Sequence, residues 1–179
     1  MSLYTITGAQ LAFGHVALLD HADFSLEAGE RVGLIGRNGA GKSSLLKIVA
    51  DLTKPDDGLV TRQQSLTTVY VPQEPEFDTD MSVFDAVAAG LIDARALLDE
   101  YDVVAHALAE TPEGEQHDAL LARMNTLQSS LDTTDAWSWR TRVSTTLAQI
   151  GLDGEARVGA LSGGMQKRVA LARALVVQP

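Results

Sequence analysis

The feature that most limits how this chain can fold is the octapeptide GRNGAGKS at residues 36–43. It matches the pattern GxxxxGK[ST], whose defined positions are Gly36, Gly41, Lys42 and Ser43. The apolar run ERVGLI at 30–35 precedes the octapeptide, and SSLLKIVADL at 43–52 follows with apolar residues at helical spacing. This context predicts a buried strand, a tight loop and a helix that begins inside the loop.

The residue types in this loop suit the binding of phosphate groups. Glycines let the backbone approach an anion closely, so that successive N–H groups and the start of a helix point at it. Lys42 can supply positive charge to the β and γ phosphates of a nucleotide, and the Ser43 hydroxyl can ligate Mg²⁺. The candidate phosphate-binding residues are Gly36, Asn38, Gly39, Ala40, Gly41, Lys42, Ser43 and Ser44. The alternative is a glycine-rich turn without a ligand, which the flanking strand and helix disfavour.

Composition restricts the class of protein further. The chain has 179 residues, 45% of them hydrophobic and 21% charged, which is typical of one soluble globular domain or of one domain with a small appendage. No apolar run reaches the roughly 18 residues of a membrane span, and the N-terminus lacks a secretory signal, so we expect a cytoplasmic protein. The absence of cysteine excludes disulfides and thiolate chemistry, and the four histidines lack metal-binding spacing.

A second motif, LSGGMQKR at 161–168, opens a helix whose first turn offers unpaired N–H groups. Taken alone, it could be a serine N-cap with a flexible approach. Together with residues 36–43, it resembles the signature and Walker A motifs of ABC-type ATPases, and the resemblance extends over nearly the whole chain. It implies that the Walker A loop binds ATP and Mg²⁺, and that the signature faces ATP held by a second ABC module. The signature residues are Leu161, Ser162, Gly163, Gly164 and Met165.

The resemblance assigns roles to two further residues. Phe13 lies where ABC modules carry an aromatic side chain that stacks on adenine. Gln73 matches the Q-loop glutamine, whose side chain reaches Mg²⁺ and the attacking water. Outside this family context, Phe13 would be a core residue and Gln73 a polar loop residue.

The family's water-activating residues are missing from the sequence. In ABC ATPases an apolar strand ending in Asp-Glu follows the signature, and a switch histidine comes later. Neither follows residues 161–168 here, so we expect a chain truncated at Pro179, just before the Walker B strand, with no catalytic residue of its own. The similar string ALLDE at 96–100 precedes the signature and belongs to a helical pattern, so Asp99 and Glu100 are expected on a solvated face.

Most of the net charge of −10 lies in one segment. Residues 85–135 contain eleven acidic residues against two basic ones, a balance of −9. Apolar residues recur there in heptad-like steps: Leu91, Ala94, Leu98, Tyr101, Ala105 and Leu108, then Leu120, Met124, Leu127 and Leu131. Pro112 and Gly114 separate the two runs, which predicts an antiparallel helical hairpin. An ordinary pair of helices in the helical subdomain is the alternative.

Gln73 and Ser162 are 89 positions apart, and a segment of this length resembles that of the ABC-F family, whose first module carries a helical arm here. The residues of the motifs resemble those of the Uup-like branch of that family. The implied fold is a P-loop α/β fold of the ABC type, with a mixed sheet around the strand 30–35, an antiparallel β portion over Thr61–Val71 and a helical subdomain with the arm. The expected divisions are a nucleotide-binding core (1–84), the acidic arm (85–135) and the signature region (136–179).

The favoured function is that of a soluble ABC-F ATPase module that couples ATP binding and hydrolysis to translation or to a nucleic-acid task. The ATP-binding subunit of a membrane transporter is the alternative, and a nucleotide sensor that does not hydrolyse ATP is a third hypothesis. The resemblance implies the ribosome or a nucleic acid as partner. However, an arm with a charge of −9 is repelled by phosphate backbones, so we expect its body not to contact RNA. We also expect an exposed sheet core, hence marginal stability or oligomerisation.

Overall fold

The computed structural model describes residues 2–64 and 66–178. The chain forms two compact units, which divide between Tyr70 and Val71. The first unit contains a three-stranded sheet and one helix, and the second is helical. This division reflects which residues pack together, whereas the predicted bounds 1–84, 85–135 and 136–179 reflect the positions of motifs and stay a prediction. Residues 1, 65 and 179 lie outside the described residues.

The sheet of the first unit consists of β1 (Ser2–Phe13), β2 (Val16–Glu27) and β3 (Asp57–Arg62), in the order β2-β1-β3. Both pairings are antiparallel, with Ile6 opposite Phe24 on one side and opposite Val60 on the other. A two-residue turn joins β1 to β2, and its first residue, Gly14, has a φ of 60°. Such a turn requires the left-handed backbone that glycine adopts without strain.

The core of the first unit lies between this sheet and the helix α1 (Lys42–Val49). Tyr4, Ile6, Ala9 and Ile48 are its buried members. The Tyr4 hydroxyl donates a hydrogen bond to the Ile48 carbonyl oxygen at 3.0 Å, which fixes the last turn of α1 against β1. Burial of the hydroxyl, together with the nearby Asp51 carboxylate, raises the pKa of Tyr4.

The predicted strand at 30–35 is wrong for this structure, because the segment pairs with no described strand. A strand is stable only when a neighbour accepts and donates its backbone hydrogen bonds. Two of the segment's apolar side chains are exposed, Val32 to 45% and Ile35 to 99%, whereas Leu34 is half-buried. The sheet that forms is antiparallel and does not include this segment, so the mixed sheet predicted around it is also absent from the described residues.

The predicted antiparallel β portion over Thr61–Val71 is correct only at its first two residues. The strand β3 begins earlier, at Asp57, and ends at Arg62. Residues 66–72 have no strand partner, so the strand expected immediately before Gln73 is not formed there either. Ser65 lies outside the described residues.

The second unit contains five α-helices among the described residues: α2 (Val83–Ala88), α3 (Ile92–Glu110), α4 (Glu115–Thr133), α5 (Trp139–Ile150) and α6 (Gly163–Leu175). Short 3₁₀ turns occupy Ala89–Leu91, Ala136–Ser138 and Val158–Ala160. The core of this unit combines residues of α2, α5 and α6, including Val87, Val143 and Val169, each with no exposed surface. None of the helices that the structure describes is both long and apolar enough to cross a membrane.

The predicted helical hairpin is confirmed. A four-residue turn at 111–114 joins the end of α3 to the start of α4, and the two helices pack against each other. Arg123 Nε donates a hydrogen bond to Glu100 Oε1 at 2.9 Å, and because the two residues lie at similar distances from the turn, the helices are antiparallel. Every residue of the predicted apolar stripe is buried or half-buried, and Leu127 and Leu131 are its most buried members.

Candidate functional site

The loop that precedes α1 has the backbone shape that the glycine pattern predicts. Gly39 and Gly41 both have a φ of 83°, in the left-handed region. At Gly41, a Cβ atom would lie 2.5 Å from the Leu18 carbonyl oxygen, so β2 leaves no room for a side chain there. A Cβ atom at Gly39 would have nothing within 4 Å, so only the backbone angle favours glycine there.

Lys42 folds back over this loop. Its Nζ donates hydrogen bonds to the carbonyl oxygens of Gly36 at 2.7 Å and Arg37 at 2.8 Å. The ammonium group therefore lies above the loop. Its positive charge offsets the partial negative charge of the two carbonyl oxygens, which would otherwise repel an anion. A phosphate that enters the loop would meet this positive charge directly.

The helix α1 begins at Lys42, and its N-cap residue, Gly41, has no side chain to satisfy the first backbone N–H groups. A helix N-terminus with free N–H groups carries a partial positive charge. The hydroxyl of Ser43 is exposed and makes no hydrogen bond with any residue that the structure describes. The first unit thus brings together the free helix start, the Lys42 ammonium and the Ser43 hydroxyl.

Phe13 also belongs to the first unit, as the last residue of β1. Its ring is 83% exposed, which is unusual for so large an apolar side chain. The core-residue alternative for Phe13 is therefore wrong, and the ring is free to stack on a planar ligand. Its contact with adenine stays a prediction.

Gln73 is exposed in an irregular segment between Pro72 and Pro75, at the start of the second unit. Its side chain makes no hydrogen bond with any residue that the structure describes. Its predicted role at Mg²⁺ stays a prediction.

The signature sequence forms the start of α6, as predicted. Ser162 is the N-cap residue, and its Oγ accepts a hydrogen bond from the Met165 backbone N–H at 3.3 Å. A Cβ atom at Gly163 or at Gly164 would have nothing within 4 Å. The glycines therefore leave a bare, exposed backbone surface at the start of the helix, where a ligand or a partner can approach closely.

Sequence reasoning missed Gln166 as a residue that shapes the signature. Its Nε2 donates to the carbonyl oxygens of Val158 at 3.3 Å and Leu161 at 3.5 Å, which ties the preceding turn to the first turn of α6. The only signal in the sequence was its position four residues after Ser162, which places both residues on the same side of the helix.

The string ALLDE behaves as predicted. Asp99 is exposed, and Glu100 forms an ion pair with Arg123 across the hairpin, so both acids belong to α3 rather than to the end of a strand. Asp99 and Glu100 are therefore helix residues of the hairpin and do not match the acids at the end of a Walker B strand.

Solved structures with a similar fold establish the architecture. The chain aligns with the ATP-binding subunit of an ABC transporter at a TM-score of 0.62 and 18% identity, over 99% of this chain and 63% of that one. A nucleotide-free ATP-binding cassette from an ABC transporter aligns at a TM-score of 0.63 and 22% identity, over 100% and 66%. Residues 19–179 match the protein family described as ABC transporter. Fold and motifs together define a P-loop ATP-binding module of the ABC type.

Curated relatives narrow the assignment. The ATP-binding protein Uup is 37% identical over the whole chain in Haemophilus influenzae, and likewise in Escherichia coli. The energy-dependent translational throttle protein EttA of Mycobacterium tuberculosis is 33% identical over 99% of the chain. The chain belongs to the ABC-F family of ABC ATP-binding proteins. It spans 27%, 28% and 31% of the length of these three relatives.

Proposed function

We propose that this chain is an Mg-ATP-binding module of a cytoplasmic ABC-F protein that couples ATP binding and hydrolysis to translation. The observation that carries the proposal is the loop at 36–43, where the Lys42 ammonium lies over a glycine backbone at the free N-terminus of α1. This arrangement suits the β and γ phosphates of a nucleotide. Phe13 would stack on the adenine, and Ser43 and Gln73 would bind Mg²⁺.

In this proposal the signature completes a second site, on another ABC module. Ser162, Gly163 and Gly164 expose hydrogen-bonding groups at the start of α6, and the phosphates of this module's own ATP need only the loop at 36–43. The second module could belong to the same polypeptide or to a second copy. ATP would then join two modules, as a ligand held between two complementary surfaces.

We propose that this chain binds ATP without turning it over. Hydrolysis requires a carboxylate that orients the attacking water, and the acids Asp99 and Glu100 are in the hairpin. The water-activating residues of the parent protein would come from another segment.

The proposed link to translation rests on the relatives, because EttA is described as a translational throttle protein. The acidic hairpin limits how the module could meet a ribosome, since nine acidic residues against two basic ones between 92 and 133 repel RNA. We therefore propose that the body of the hairpin contacts protein or solvent. Cosedimentation of the full-length protein with ribosomes, with and without residues 92–133, tests the partner and the hairpin separately.

The test of nucleotide binding is a titration with Mg-ATP, followed by measurement of phosphate release. We expect saturable, weak binding that is abolished by Lys42→Ala, with negligible turnover. Lys47→Ala is the matched control, because Lys47 is exposed in the last turn of the same helix, at the end away from the loop. Equal binding by the wild type and Lys42→Ala would refute the phosphate site, and robust hydrolysis would refute the absence of a water-activating group.

A further inference from the structure

The tip of the hairpin formed by β1 and β2 (residues 11–16, the hairpin tip) extends beyond the third strand of the sheet. The ladder between β1 and β3 ends where Gln10 lies opposite Asp57, so the β1 side of the tip has only β2 as a strand neighbour among the described residues. The pairing of β1 with β2 is itself irregular there, with register shifts on both sides of Leu11. A two-stranded ribbon has little stability of its own, so the tip needs a further contact to hold Phe13 in one place.

Asp56 supplies such a contact through two hydrogen bonds to one edge of β1. Its backbone N–H donates to the Gln10 carbonyl oxygen at 2.8 Å. Its carboxylate oxygen Oδ2 accepts a hydrogen bond from the Ala12 backbone N–H, also at 2.8 Å. Residues two apart on a strand direct their backbone groups to the same edge, so Asp56 extends the ladder of β3 toward the tip with its side chain. A bond from an N–H group to a carboxylate is stronger than one between neutral groups.

The backbone that carries Asp56 lies tightly against β1. A Cβ atom at Gly58 would lie 2.7 Å from the Cα of Ala9 and from the carbonyl oxygen of Gly8, and Gly58 has a φ of 103°. The start of β3 therefore leaves no room for a side chain between itself and β1. Asp56 is two residues earlier in the chain, so its carboxylate reaches Ala12 from a backbone that close packing holds in place.

The hairpin tip lies next to the candidate phosphate-binding loop. A Cβ atom at Gly41 would lie 2.5 Å from the Leu18 carbonyl oxygen, so the loop at 36–43 packs on β2. Leu18 is two residues from Val16, which pairs with Phe13 across the hairpin. The position of the tip therefore determines how far a base stacked on the exposed Phe13 ring lies from phosphates in the loop.

We propose that Asp56 is a positioning residue for the Phe13 ring. The role rests on the proposed function, in which Phe13 stacks on adenine while the loop at 36–43 binds the phosphates. Asp56 holds Ala12, the residue next to Phe13, and so restricts the directions of the ring before the nucleotide arrives. Less conformational freedom is then lost on binding, which strengthens the interaction with the base. In this role Asp56 contacts the strand and not the nucleotide.

The test compares the binding of Mg-ATP with that of magnesium tripolyphosphate, which lacks adenine, by isothermal titration of the whole chain. Asp56→Ala should weaken ATP binding about threefold to tenfold, the loss expected for one hydrogen bond, and should change tripolyphosphate binding less than about twofold. Both ligands are anions, so the loss of a carboxylate would by itself strengthen the binding of both. A loss confined to ATP therefore cannot arise from charge.

Asp57→Ala is the matched control. It removes the same charge from the adjacent residue, whose carboxylate accepts a hydrogen bond from the Gly58 N–H and from no other group within the described ranges. We expect it to change the binding of either ligand less than about twofold. Asp56→Asn keeps an oxygen that can accept from the Ala12 N–H, so it should restore ATP binding to within about twofold of the wild type.

Two further measurements examine the link from Asp56 to Phe13. In the Phe13→Ala background, Asp56→Ala should weaken ATP binding no further, because both substitutions remove the same contact with the base. Without nucleotide, the Ala12 amide hydrogen should exchange with solvent faster in Asp56→Ala than in Asp57→Ala, because only the first variant removes its acceptor.

Equal weakening of ATP and tripolyphosphate binding by Asp56→Ala would mean that the residue supports the unit in general, and it would exclude a positioning role. Equal effects of Asp56→Ala and Asp57→Ala on ATP binding, or equal exchange rates of the Ala12 amide, would exclude it as well. Failure of the proposed function is recognised separately, since Lys42→Ala would then bind tripolyphosphate, or Phe13→Ala would bind ATP, as tightly as the wild type.

Discussion

The two glycines with identical backbone angles in the loop separate two reasons for a glycine. Gly41→Ala adds both a left-handed alanine and a contact at 2.5 Å with the Leu18 carbonyl oxygen, whereas Gly39→Ala adds only the first. We expect Gly39→Ala to lower the free energy of unfolding by about 1 kcal/mol, and Gly41→Ala by about 2–3 kcal/mol. Urea unfolding of the two variants measures both values. Equal losses would mean that β2 does not restrict the loop.

Tyr4 makes the free energy of unfolding of the first unit vary with pH in the alkaline range. Its pKa is raised in the folded state by burial first and by Asp51 second, so the neutral phenol is favoured there. The stabilisation is complete below the unfolded pKa of about 10 and is lost as the pH rises through the higher folded pKa. Urea midpoints measured between pH 9 and 11 should fall more steeply for the wild type than for Tyr4→Phe. Parallel curves would show that the hydroxyl does not titrate differently on folding.

At the scale of single elements, the cap of the signature helix gives a separate prediction. Ser162→Ala removes the acceptor of the Met165 N–H, and we expect the free energy of unfolding of the helical unit to fall by about 1 kcal/mol. Ser144→Ala is the control, because Ser144 is exposed in the interior of α5 and caps nothing. The comparison is made by thermal unfolding at one pH. If both variants unfold at the same temperature, the hydrogen bond at 3.3 Å contributes nothing.

The elements that could be predicted from the sequence are those that local interactions determine. The hairpin of α3 and α4 follows from its own apolar stripe and from the break at Pro112, and α6 follows from a serine cap before a helical run. The run at 30–35 has an equally clear strand pattern but needs neighbouring strands, which its own residues cannot supply. For the candidate site, the Walker A residues follow from the spacing of the motif and from the patterns that flank it. The fit of Gly41 against Leu18 and the role of Gln166 depend on tertiary contacts that no local pattern contains.

At the scale of the whole molecule, charge and exposed apolar surface are distributed in opposite ways. The helical unit holds nine of the ten net negative charges, whereas the first unit is nearly neutral and carries the exposed segment 30–35. Like net charges repel one another and keep proteins apart, whereas an unpaired segment with exposed apolar side chains favours association. Self-association of this chain should therefore begin at the first unit.

Substitution of the most exposed apolar residue tests this expectation. Ile35→Lys should leave the free energy of unfolding unchanged within about 0.5 kcal/mol, because the side chain is 99% exposed, and it should reduce self-association measured by sedimentation velocity over a concentration series. Ile92→Lys is the control, because Ile92 is 69% exposed on α3, inside the acidic unit where like charges already oppose contact. A similar reduction by both variants would indicate that the added charge acts through general repulsion, and association unchanged by Ile35→Lys would exclude the segment 30–35 as its origin. A specific effect of Ile35→Lys would mean that the apolar strand pattern of this segment, left without a partner, sets the solution behaviour of the whole chain.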